Sequence, residues 1–327
     1  MSFMGTDGFV WFQGVVEDRA DPLFLGRCRI RCLGYHTDDK TQIPTSSLPW
    51  AHPIQPITSA AISGVGQSPI GPVEGTWVVG FFRDGLNCQE PVFFGTIGGI
   101  PAESPDTGKG FSDPNGMYPK EDLLKEQDTN RLARGLTADT IVQSKIEAAG
   151  DHAEHATANE AGDHNWSEPE TPFDAKYPNN HVYQSESGHV QEFDDTEGAE
   201  RIHTYHKAGT FEEIHPDGSK VIKVVGDDYE LLLGKKFVHV SGNANILVDG
   251  QSTFYVKGDS DIQVDGNVKQ VVGGNVEQEV TGNVKVDADG EFDVKANSIK
   301  MDAGSGTINI ETNGNMVLKG TAGIDLN

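Results

Sequence analysis

The chain has 327 residues, a formal net charge of −25, 36% hydrophobic residues and 39 glycines. Such an acidic surface repels nucleic acid and anionic lipid headgroups, which argues against DNA binding and stable membrane residence. No stretch approaches the roughly 20 apolar residues of a spanning helix. Abundant glycine and few helix-forming runs point to an all-β protein of two or three domains, and MSFMGTDGF lacks the features of a signal peptide, so synthesis in a cytoplasm is expected.

Residues 1–100 read as an OB-fold barrel. GFVWFQGVVED, LGRCRIRCLGYH, SSLPWAHPIQPIT, GTWVVGFFRDG and EPVFFGTIGG supply five strands with glycine-rich turns. Phe9, Trp11, Phe12, Trp77, Phe81 and Phe82 are spaced for packing into the core rather than for stacking on bases. In RCRIRCL, Cys28, Ile30 and Cys32 alternate with Arg27, Arg29 and Arg31, which places the thiols on the buried face and the arginines on the wet one. Two thiols four residues apart on a strand, about 13 Å, cannot form a disulfide. Buried free thiols are expected, with Cys88 the third cysteine.

Residues 101–172 are rich in Pro, Gly, Asp, Glu, His and Ala and read as a solvated linker, with a short helix within LTADTIVQSKIEAAGDHAEHATANEAGDH. Glu147, Glu154 and Glu160 lack a scaffold to hold two carboxylates across a sugar cleft, as a glycosidase requires. Residues 173–225 read as a β-rich transition of short strands joined by glycine-containing turns. His203, His206 and His215 invite a metal reading, but the first two fall on opposite faces of a strand, and surface or interface histidines are expected. The sequence carries no P-loop or dinucleotide fingerprint. No cofactor, metal or catalytic residue is therefore assigned.

Residues 226–327 carry a repeat of eight. Corner glycines stand at Gly226, Gly234, Gly242, Gly250, Gly258, Gly266, Gly274, Gly282 and Gly290. Two residues before most of them stands an aliphatic residue, among them Val240, Val248, Val256, Val264, Val272 and Val280. Between Gly242 and Ala296 the even positions are mostly apolar and the odd ones mostly Asn, Asp, Glu, Lys, Gln and Thr. Period two means short strands with one buried face. Period eight means that a strand ends, turns a corner at glycine and starts again.

Strands this short give too little core for a single-chain solenoid, whose coils usually need about 20 residues or more. Three chains winding round one axis solve the problem. The valines then meet at the axis together with Gln270 and Gln278, whose rings of three amides would bond one another or hold an ordered water or ion, unless a strand shift turns both outward. The parity breaks at Ile299 and Met301 and returns with Ile308, Ile310, Met316, Leu318, Ile324 and Leu326, so a bulge or loop is expected between 298 and 305. The chain stops within the strand pattern, and a blunt strand-built end is expected.

The octad resembles the intertwined triple-stranded β-helix of contractile phage tail spikes. GxVEDRxDPxxxGRCRIRCLGYH, LPWAHPIQP, GPVEGTWVVGFFRDG and EPVFFGTIGG, followed by DPNGMYPK and DTNRLARG, resemble the barrel of central spike subunits from T-even-like contractile phages. YPNNHVYQSESGHVQEFDDTEGAERIHTYHKAGTFEEIHPDGSKVIKVVGD is similar to the entry into that spike's β-helix. The resemblance implies an all-β homotrimer: an N-terminal OB-fold barrel, a linker and a C-terminal intertwined trimeric β-helix, with a shaft of roughly 65 Å at one strand spacing per octad. It further implies a place in the virion tail baseplate, a separate hub protein bound by the barrel, a small tip-capping protein at the C-terminus, the host envelope as target, and no nucleic acid. Several members carry a lysozyme domain of about 160 residues between barrel and β-helix, and 101–172 is too short for one. A non-enzymatic piercing spike is therefore expected. Two other readings are the valine-glycine repeat spike of a type VI secretion system, which normally has its hub fused ahead of the barrel, and a glycan-binding tailspike or lyase. The latter calls for outward aromatics on the shaft, where Tyr255 is almost the only candidate.

Overall fold

A computed structural model describes residues 9–120, 128–136, 157–161 and 164–319, and the chain divides into two compact units, Met1–Ser252 and Thr253–Asn327. The first begins with a closed barrel of β1 (Val10–Asp18), β2 (Cys28–Cys32), β3 (Trp50–Pro53), β4 (Trp77–Phe82) and β5 (Pro91–Thr96), in the order β1-β2-β3-β5-β4 with β4 returning to β1. All pairs are antiparallel except β3 with β5. Phe12, Val16, Cys28, Ile30, Cys32, Val78, Phe82 and Phe93 fill the interior. The barrel closes tightly at Gly80, beside a bulge in the β4–β5 pairing. A Cβ there would lie 2.0 Å from the Val92 carbonyl oxygen and 2.7 Å from the Phe12 ring. Cys28 and Cys32 are buried and free, and burial pushes the Cys28 thiol up to about 12.

Two features of the barrel are not given by simple alternation. Arg31 lies on the side of β2 opposite the interior residues Ile30 and Cys32 yet is fully buried rather than wet, because residues 37–45 and 110–111 cover it together with Glu17. Arg31 Nε donates to Glu17 Oε1 at 2.6 Å, and the guanidinium also donates to the carbonyls of Thr37 and Ile43. Glu17 in turn accepts from the Thr45 hydroxyl and the Phe111 N–H. The expected core aromatics also divide: Phe12, Phe81 and Phe82 are buried, whereas Phe9, Trp11 and Trp77 are exposed on the outer face. Trp11 packs edge-on to Phe81 and Phe94 there.

The stretch expected as a solvated linker contributes packed pieces. Lys109 bridges to Asp39, Gly110 N donates to Asp38 O, and buried Asp113 accepts from the N–H groups of Asn115, Met117 and Tyr118. Helix α1 (Asp128–Ala133) buries Leu132. Strands β6 (Thr157–Ala161) and β7 (His164–Ser167) pair as a hairpin whose backbone includes Glu160. Glu147, Glu154 and most of the expected helix lie outside the described residues.

Five antiparallel strands follow as a meander: β8 (Asn180–Gln184), β9 (Val190–Asp194), β10 (Arg201–Tyr205), β11 (Phe211–Ile214) and β12 (Lys220–Lys223). Its inner face joins Val190 and Tyr205 to Leu132, with Phe173, Val182 and Phe211 alongside. Buried Arg201 lies 2.8 Å from Glu192 and 2.9 Å from Glu213, and over the Phe173 ring. His203 and His215 are not surface residues as expected. They lie mostly buried in this network, His203 at 3.2 Å from Glu192 and His215 at 3.0 Å from Glu213. Desolvation opposes the Glu192 charge, but hydrogen bonds from His203 and Asn180 and the charge of Arg201 hold its carboxyl below the ordinary value.

One latch ties the barrel to the meander. In the β8–β9 turn, the Glu186 carboxylate accepts from Arg19 Nη1 at 2.9 Å and Nη2 at 2.8 Å, and also from the Tyr118 hydroxyl. Arg19 Nε lies 3.2 Å from Glu74. The Arg19 bonds, then the Tyr118 bond, lower the Glu186 carboxyl from 4.5 to about 2, while burial and then Glu186 push the Tyr118 phenol up to about 12. A carboxylate depressed by folding contributes stability that is full above its unfolded value, about 4.5, and is lost as pH falls toward about 2. Both side chains are partly exposed, so the effect is modest. The urea midpoints of the parent and Glu186→Gln should therefore differ by a constant gap from about pH 5 to 8, and the gap should narrow as acid is added below about 4.5. A gap that ignores pH would contradict the latch.

Candidate functional site

Beyond Lys223 the character of the chain changes. Bends fall at 225–226, 233–234, 241–242, 249–250, 257–258, 265–266, 273–274, 281–282 and 289–290, so every glycine from Gly226 to Gly290 in the series of eight lies in one. None of these glycines has left-handed backbone, and a Cβ on any of them would meet nothing within 4 Å in its own chain. Taken alone, the chain would accept alanine at each corner. Between the bends the backbone is extended, yet among the described residues no strand after β12 pairs with another.

The side chains are sorted by parity. From Gly242 to Ala296 every Asp, Glu and Lys is odd-numbered. Val240, Val248, Val256, Val264, Val272 and Val280, just before their bends, are 41 to 53% exposed. Ile246, Phe254 and Ile262, four residues after a corner, are 84 to 87% exposed. Gln270 and Gln278 hold that same place in their octads and are also exposed. Near the break in parity, Gly306 N donates to Ala303 O at 2.8 Å and Gly304 is left-handed, which makes a turn after exposed Ile299 and Met301. Ile308, Ile310, Met316 and Leu318 follow, exposed; Ile324 and Leu326 lie outside the described residues.

Two further apolar surfaces are uncovered. On the outer face of the meander, Phe193 stands directly opposite Ile202, and Ile202 opposite Ile214, with Tyr183 and Ile222 also exposed. On the barrel, Phe9, Trp11 and Phe94 gather around Phe81. Contiguous exposed apolar surface of this kind marks interaction sites. Sequence reading missed the barrel patch because alternation on a strand does not tell which face is the outer one. The meander face was legible only as alternation.

Among the described residues, no group of three His, Cys, Asp or Glu side chains is placed to hold a metal ion. His206 is exposed at the β10–β11 turn, its ring 4.5 Å from that of His189. His203 and His215 are engaged with glutamates. What the arrangement offers is surface for association.

Comparison with known proteins agrees with that character. Residues 34–177 match the family described as the Gp5 N-terminal OB domain. Protein Gp5 of Vibrio phage KVP40 is 48% identical over 271 residues, 74% of this chain and 64% of that protein. Pre-baseplate central spike protein Gp5 of Enterobacteria phage T4 is 50% identical over 137 residues, 40% of this chain and 23% of that protein. The chain thus spans less than two thirds of the length of either relative.

Proposed function

We propose that this chain, which belongs to the Gp5 central spike proteins of T4-like phages, is the structural central spike of a contractile tail baseplate. Three copies wind their repeats into one β-helix, the barrels dock on a separate hub, and sheath contraction drives the rod through the host envelope. The observation that carries this reading is the repeat itself, with its apolar even-numbered face and its unpaired extended backbone in a single chain. Buried backbone groups require partners, and an isolated two-stranded hairpin is at best marginal in water. Three chains around one axis supply both the partners and the burial, and leave the charged odd-numbered face in water. The outer face of the meander, with Phe193, Ile202 and Ile214 in one row across its strands, is a further apolar surface that a neighbouring copy can cover. The aromatic patch of Phe9, Trp11 and Phe81 fits the hub. A small protein capping the tip is part of the same reading.

The reading includes no muramidase activity. In its support, only about 80 residues separate the end of the barrel at Thr96 from the start of the meander at Asn180, about half of what such a domain occupies in the family members that carry one. Purified protein added to peptidoglycan should leave its turbidity unchanged. Clearing that persists after contaminating lysozyme is removed would contradict this.

If even positions face the axis, Gln270 and Gln278 each form a ring of three amides. Gln270→Leu should then be tolerated or stabilising. Gln270→Glu should lower the melting temperature near neutral pH, because three carboxylates are buried together without partners. Burial and mutual repulsion raise the pKa of such groups on folding, so the loss should shrink as acid protonates them. A Gln270→Glu protein as heat-stable as the parent at about pH 8 would show that the residue points to solvent.

A further inference from the structure

The connection between β3 and β4 stands apart in this acidic chain. From Pro53 to Val73 it contains no charged residue. Its own bonds hold its shape: Ala60 N donates to Val65 O at 2.8 Å, Gly64 N to Ala61 O at 3.0 Å, and Gln67 N to Ser59 Oγ at 3.2 Å, while Ser59 Oγ donates to Gln55. Gly64 takes the left-handed conformation that the tip requires. Pro53, Pro56, Pro69 and Pro72 stiffen the two stems. What this ordered loop presents is apolar: Ile57 and Ile62 are 102 and 103% exposed, and Val65 is exposed beside them.

At the base of the loop, against β5, lies a groove of about 330 Å³ whose lining includes Ile54, Pro56, Pro69, Ile70, Phe93 and Phe94. No charged residue lines it, and the tip residues Ile57, Ile62 and Val65 are not part of it. One chain therefore carries an uncharged projection and an uncharged recess as separate features.

We infer that the loop tip of one copy seats in the groove of the next, so that three barrels close head to tail into a ring. The inference rests on the trimer proposed above. The occupant is a second copy because chains that each carry −25 repel least where both sides lack charge, and this loop and this groove, on the same chain, satisfy that together. A contact between two different patches forms a closed ring when the copies are related by rotation, as about a threefold axis. A loop already ordered by its own bonds loses little freedom when it docks.

The test uses the full chain with Cys88→Ser, since Cys28 and Cys32 are buried. In the single chain the tip is fully exposed, so protection of Ile62→Cys in the purified protein must come from another copy. Maleimide labelling of that thiol should be about tenfold slower in the native protein than in urea. Ile62→Cys combined with Ile70→Cys should, on mild oxidation, give a reducible covalent ladder ending at three chains. If sedimentation shows a trimer but the Ile62→Cys thiol is unprotected and no ladder forms, the ring is wrong while the trimer stands. A monomer in sedimentation overturns both. Disulfide-linked pairs from Ile62→Cys alone would mean that tip meets tip, which also overturns the head-to-tail ring.

Discussion

An extended backbone has to place its N–H and C=O groups against something, and from residue 226 to 319 this chain offers them no strand of its own. That constraint governs the rest of the molecule. The same stretch exposes an aliphatic residue before nearly every bend and keeps its charges on the opposite parity, so the unpaired backbone and the uncovered apolar face call for the same remedy. In the proposed trimer, winding three chains together pairs the first and buries the second. It also gives the glycines a reason that the single chain does not contain: with nothing within 4 Å in its own chain, a Cβ at a corner meets an obstacle only where another chain passes close by.

The barrel and the meander are held differently, by interiors that satisfy themselves. Glu17 and Arg31 are wholly buried, and each is surrounded by partners drawn from separate stretches, so the pair pins residues 37–45 and 111 to the barrel. Arg201 lies beneath the meander between two glutamates that also meet histidines, and its Nη1 donates to Glu213, while its Nε and Nη2 are buried without a hydrogen-bond partner. Buried ions are tolerated where opposite charges lie this close, and breaking one partner out of a set leaves an uncompensated charge. Among the described residues after Lys223 there is no such buried ion, and every charged side chain is exposed.

Much of this organisation is legible in the sequence because periodicity is a property of the sequence. Five apolar runs between turn residues give the barrel its strands, and glycine at every eighth position marks the bends. Arg31 was not legible: alternation grouped it with Arg27 and Arg29, and nothing in the spacing says that residues 37–45 and 110–111 fold over it. Phe9, Trp11 and Trp77 share their strands with Phe12, Phe81 and Phe82, and nothing in the spacing says that the barrel leaves the first three outside. The histidines near residue 203 looked superficial because their partners Glu192 and Glu213 lie on neighbouring strands. The stretch after residue 100 looked solvated because its packing depends on backbone groups, such as the N–H of Phe111 and the three amides on Asp113, which side-chain composition does not reveal.

The central claim is that the repeat is completed by other copies of the same chain. Static light scattering of the purified 327-residue chain, at neutral pH and over a range of dilutions, tests it most directly. The account predicts a stable particle of three times 35.3 kDa that does not dissociate on dilution. A folded, monodisperse particle of 35.3 kDa would contradict it, because the apolar even-numbered face would then be stable in water without a partner.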